Sequence, residues 1–109
     1  AGTTGADWAQ ENLPNATIVP LDDIISAMNG VVTGSYDALV TDLPVSSYQI
    51  KNSFSDLQII EEIATGEQYG IAVSKDNPAL TEAINAALAE MQEDGSMEAI
   101  QVEWFGSAL

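Results

Sequence analysis

What most constrains the fold of this chain is an alternation of helix-period segments with short apolar runs too brief to be helices. Residues 16–21 (Ala16-Thr17-Ile18-Val19-Pro20-Leu21), residues 38–41 (Ala38-Leu39-Val40-Thr41) and residues 57–60 (Leu57-Gln58-Ile59-Ile60) each read as a strand. Between them lie segments with helical spacing. The first is residues 6–13. In the second, Ile24, Ile25, Met28, Val31 and Val32 recur as core positions behind a cap at Asp22 or Asp23. In the third, Pro44 stands in the first turn, Asp42 or Leu43 at the cap, and the helix runs to about Lys51. Helix, strand, helix, strand, helix, strand is the order of an α/β layer with a parallel sheet, whose strands are apolar on both faces.

Past residues 64–67 the pattern breaks. Residues 68–75 (Gln68 to Lys75) read as one more strand. Asn77 then caps a helix that has Pro78 at its first position, Leu80, Ile84, Leu88 and Met91 on one face, and Gly95 at its end. A shorter helix from Ser96 carries Met97, Ile100 and Trp104 as far as Phe105-Gly106. The division implied is 1–67 and 68–109.

The chain opens on Ala1-Gly2-Thr3-Thr4-Gly5, a phosphate-loop-like turn running straight into a helix. Backbone N–H groups at a helix mouth lack intrahelical partners and face the positive end of the dipole, so such a turn can hold a carboxylate or a phosphate. A second reading makes Thr4 an ordinary N-cap, because Thr4-Gly5-Ala6-Asp7 is close to a capping box with Asp in place of Glu. Asp7 would also compete with an incoming anion for those N–H groups. Asp42 carries the same two readings, helix cap or ligand-binding carboxylate. Trp8, Tyr36 and Trp104 read as packing residues.

Charge and composition exclude several functions. Seventeen Asp and Glu face two cations, Lys51 and Lys75, with no Arg or His, for a formal charge of −15 over 109 residues. Nucleic acid needs clustered Lys or Arg to neutralise phosphates, so it is not an expected partner, and an anionic membrane surface is disfavoured for the same reason. The carboxylates read as a solvated acidic face. With neither Cys nor His, no disulfide, thiolate nucleophile, zinc site or His-based triad can be assembled, and no Asp-x-Asp-x-Asp-Gly calcium loop is present. No metal or cofactor is expected.

Four blocks in order carry a family resemblance. They are Gly2-Thr3-Thr4-Gly5 with Asp7-Trp8-Ala9; Gly34-Ser35-Tyr36-Asp37-Ala38-Leu39-Val40-Thr41-Asp42; Gln68-Tyr69-Gly70-Ile71-Ala72-Val73; and Glu93-Asp94-Gly95 through Trp104-Phe105-Gly106. Together they make the chain resemble the second half of a type 3 solute-binding protein, which captures polar amino acids for an ABC importer. The resemblance implies a periplasmic-binding-protein-like clamshell with ligand at the C-terminal ends of parallel strands. Residues 1–67 would be a partial second lobe, and residues 68–109 a crossover strand and helices returning to the first lobe.

On this resemblance Thr3 and Thr4 would bind the ligand α-carboxylate, Asp42 would accept the α-ammonium, and Thr41 would tune side-chain choice. The partners implied are a small amino acid and the importer's membrane subunits, in an extracytoplasmic setting, periplasmic or lipid-tethered. The family's carboxylate-clamping arginine is absent, and so is the strand that leads into Gly2-Thr3-Thr4. Such a chain is expected to be a fragment, completed by an N-terminal segment, by strand exchange in a homo-oligomer, or by rearrangement. Two rival functions remain open here: a sensory module of a membrane receptor, and a dehydratase-like relative acting on a small carboxylic acid. The lack of His, Cys and Arg argues against an enzyme.

Overall fold

A computed structural model describes all residues, 1–109, as five helices: α1 (Thr4–Asn12), α2 (Ile24–Val32), α3 (Leu43–Asn52), α4 (Pro78–Glu93) and α5 (Ser96–Phe105). They fall in two compact units, Ala1–Ile60 and Glu61–Leu109.

The helix ends follow local chemistry. Asp23, not Asp22, caps α2: its carboxylate accepts from the Ser26 N–H at 2.8 Å and the Ser26 hydroxyl at 2.6 Å. Those bonds, the side-chain one foremost, hold its pKa below the ordinary carboxylate value. The Asn77 Oδ1 accepts from the Leu80 N–H at 3.1 Å, and Pro78, which has no N–H to satisfy, takes the first position of α4. Gly95 ends that helix with φ 80°, a left-handed conformation that glycine adopts without penalty. Beside it the Asp94 carboxylate accepts from the Ser96 N–H at 2.8 Å, and α5 folds back against α4.

The core of the first unit is small. Ala9, Ala27, Met28 and Phe54 are buried, with Met28 only 1% exposed, and Ser47 is buried with them. Within α2 the expected apolar set divides. Met28 is buried and Ile24 and Val31 half-buried, whereas Ile25 and Val32, seven residues apart on a second stripe, stay exposed. Tyr36 lies over Gly30 so closely that a Cβ there would come within 2.2 Å of its ring. The Gly30 carbonyl meanwhile accepts from the Ser35 and Tyr36 N–H groups, closing the turn.

The parallel sheet is the expectation that the structure does not bear out. Residues 16–21, 38–41, 57–60 and 68–75 are in no strand. The reason is that a strand exists only through a ladder partner, and none of these runs has one. The Ala1 amino group donates to the Leu21 carbonyl, and Gly5 sits against Val40 and Thr41, so the first residues of the chain stand between the first two runs. Lacking a ladder, the apolar runs remain at the surface: Ile60 is 81% exposed and Ile71 61%. Trp104 is 53% exposed.

Gly30→Ala in the full-length protein forces Tyr36 out of its place and is expected to destabilise by about 1–3 kcal/mol, the usual effect of overpacking. Urea unfolding measures it. An unchanged midpoint would mean that the ring does not hold this position.

Candidate functional site

Thr3, not Thr4, caps α1. Its backbone is extended (φ −117°, ψ 157°), its hydroxyl accepts from the Ala6 N–H at 3.3 Å, and its carbonyl accepts from the Asp7 N–H at 3.1 Å. Thr4 is thus the first residue of the helix and Gly5 the second. The capping-box reading of Thr4 through Asp7 is one residue out of frame. Asp7 is exposed in the first turn, and its carboxylate accepts from none of the N–H groups at the mouth. Gly2, with φ 66°, is the left-handed residue that turns the chain into this cap.

Asp42 holds the N-cap position of α3 with φ −61° and ψ 136°, and its side chain makes no capping hydrogen bond. Its carbonyl accepts the first intrahelical bond, from the Ser46 N–H at 3.0 Å, and also accepts from the Ser46 hydroxyl at 2.9 Å. Thr41, half-buried, precedes it, and Asp42 itself is exposed.

These two corners are neighbours. A Cβ placed on Gly5 would lie 3.8 Å from the Thr41 Cα, the Val40 carbonyl oxygen and the Val40 Cγ1. The mouth of α1 therefore rests on the residues that lead into Asp42. Thr3, Thr4 and Asp42 are all exposed, so the arrangement is an open surface with two helix N-termini on it. Each terminus contributes N–H groups without intrahelical partners and a partial positive charge, while Asp42 contributes a carboxylate. An anionic and a cationic group a few ångströms apart on one molecule fit that combination, and an amino-acid zwitterion has both.

Gly5, part of the opening turn read from the sequence, is the residue that stands against the second corner. Its backbone lies beside Val40 and Thr41 at a distance where a Cβ would make ordinary van der Waals contact, and its own N–H, second in the helix, has no intrahelical acceptor. A shallow concavity lined by Asn12, Leu13, Pro14, Asn15 and Ala16 lies at the other end of α1, roughly 12 Å along the helix at 1.5 Å per residue. No group of three or more carboxylates is placed to hold a metal ion.

Residues 8–107 match the family described as bacterial extracellular solute-binding proteins, family 3. The chain belongs to that family. Members of family 3 are solute-binding proteins, not enzymes, and have the periplasmic-binding-protein-like α/β fold. The chain is 29% identical over 106 residues to the L-cystine-binding protein TcyJ of Escherichia coli (strain K12), covering 97% of this chain and 40% of that protein. To the ABC transporter glutamine-binding protein GlnH of Bacillus subtilis (strain 168) it is 32% identical over 103 residues, covering 94% and 37%. To the ABC transporter arginine-binding protein 1 of Escherichia coli (strain K12) it is 33% identical over 109 residues, covering 95% and 44%. The chain thus spans about 40% of the length of the first of these relatives. No solved structure matches it significantly. The family is described as extracellular, and no helix here is long and apolar enough to cross a membrane.

Thr3→Val removes the cap hydroxyl and is expected to weaken the first turn of α1 by about 1 kcal/mol, with Thr3→Ser near wild type. Amide exchange at Ala6 and Asp7 measures it. Equal exchange in all three proteins would show that the hydroxyl does not cap.

Proposed function

We propose that residues 1–109 carry one side of an amino-acid site in an extracytoplasmic solute-binding protein that serves an ABC importer. Thr3 and Thr4, with the N–H groups at the mouth of α1, bind the ligand α-carboxylate. Asp42 accepts from the α-ammonium. Thr41, beside it, faces the ligand side chain and favours a polar, uncharged one. The observation that carries this reading is the seating of Gly5 against Val40 and Thr41, which supports both corners acting on one small molecule.

Residues 1–67 are the partial second lobe in this reading, and residues 68–109 are the crossover and the helices that return to the first lobe. The remainder of the site, including a cationic clamp for the carboxylate, comes from an N-terminal segment that also gives the exposed apolar runs their ladder partners. This agrees with the relatives, of whose length the chain covers about 40%. Strand exchange between two copies is the other way to supply those partners. The protein is periplasmic or tethered by lipid at the cell surface.

Asp42→Asn in the full-length protein should weaken amino-acid binding by about 2–5 kcal/mol, as expected when one partner of a charged pair that the completed site encloses is neutralised. That corresponds to a loss of roughly thirtyfold to several thousandfold in affinity. Calorimetry with a panel of polar amino acids measures it. Near-normal affinity would remove Asp42 from the site.

A further inference from the structure

The turn that follows α1 holds a group the binding site does not use. Of the six asparagines in the chain, at positions 12, 15, 29, 52, 77 and 85, only Asn15 has a hydroxyl residue two places on. Asn15-Ala16-Thr17, with a residue other than proline between, is the pattern recognised by enzymes that transfer oligosaccharide to asparagine. The local structure separates Asn15 from the other five as sharply as the sequence does.

Asn29 and Asn85 lie inside α2 and α4. The other three have engaged side chains: Asn12 and Asn52 donate to the carbonyls of Trp8 and Tyr48 at 2.9 and 2.7 Å, and Asn77 caps α4. Asn15 stands at the tip of a turn closed by the Ala16 N–H to the Leu13 carbonyl at 3.1 Å, with Pro14 before it. Its carboxamide hydrogen-bonds to no protein group, and Asn15, Ala16 and Thr17 are all exposed. Transfer requires the acceptor segment to bend into an enzyme cleft with the hydroxyl close to the carboxamide. A helix cannot do that without unwinding, whereas an exposed turn can.

We propose that Asn15 is an acceptor for an N-linked oligosaccharide, which rests on the extracytoplasmic part of the reading above. The donor is an oligosaccharide carried on a polyprenyl phosphate or pyrophosphate, and the catalyst is a membrane oligosaccharyltransferase. The Asn15 Nδ2 attacks C1 of the first sugar and forms the N–C bond. The bond from C1 to the phosphate oxygen breaks, its electron pair leaves with the lipid phosphate, and one amide proton passes to the enzyme's base. The glycan sits at the C-terminal end of α1, about a helix length from Thr3 and Thr4, so a modified protein keeps an open ligand site.

The test uses the full-length protein from its native cells, fractionated to establish on which side of the membrane it lies. Cleavage ahead of aspartates releases Asp7 to Leu21, whose mass reports on both Asn12 and Asn15. The expected result is an exported protein with a sugar mass on Asn15 and none on Asn12. Asn15→Gln and Thr17→Ala abolish the modification, Thr17→Ser retains it, and amino-acid affinity is unchanged in Asn15→Gln, which shows that the variant is folded. An exported protein with bare Asn15 overturns the proposal and leaves the binding function intact. A protein retained in the cytoplasm overturns the extracytoplasmic reading, and the glycan with it.

Discussion

The first unit depends on the close approach of the α1 backbone, at Gly5, to Val40 and Thr41. A helix mouth is a weak anion site alone, because water competes for its N–H groups, and a carboxylate at the start of another helix is ordinary. Set side by side, in the function proposed above, they offer two opposite preferences, which a zwitterion meets and an inorganic anion does not. A Cβ on Gly5 would still meet Val40 and Thr41 at ordinary van der Waals distance, so it is the seating of α1 that sets the approach, and Thr3, by spending its hydroxyl on the Ala6 N–H, fixes where the helix begins. The position of Thr4 and Gly5 follows from that one bond.

The same arrangement explains why the apolar runs are at the surface. Residues 16–21 and 38–41 flank the first residues of the chain instead of pairing with each other. Four to six residues without a ladder gain too little to hold strand geometry, so what would be a sheet becomes loops carrying exposed isoleucine and valine. The buried set of Ala9, Ala27, Met28 and Phe54 is correspondingly small, and no residue of α4 or α5 is buried.

What could be read from sequence divides along the same line. The helix Pro78–Glu93 was legible to within a residue because cap, proline and terminating glycine act within a few positions of one another. The choice between Asp22 and Asp23 was open until Ser26 settled it through two hydrogen bonds. Thr3 and Thr4 are chemically equivalent as caps, and only the backbone angles distinguish them. Strands are a non-local property, so the alternating apolar runs announced a sheet that residues 1–109 do not form by themselves. Gly5 was legible as part of the opening turn, whereas its nearness to Val40 and Thr41 was legible only through the family's order of blocks.

The central claim is that the two corners answer to one ligand. Amide hydrogen exchange on the full-length protein, with and without a bound amino acid, tests it most directly. The account predicts that Gly5 and residues 41–43 gain protection together at the same ligand concentration, while α4 is unaffected at its solvent face. Protection at only one of the two corners, or at neither while binding is demonstrated by calorimetry, would contradict it.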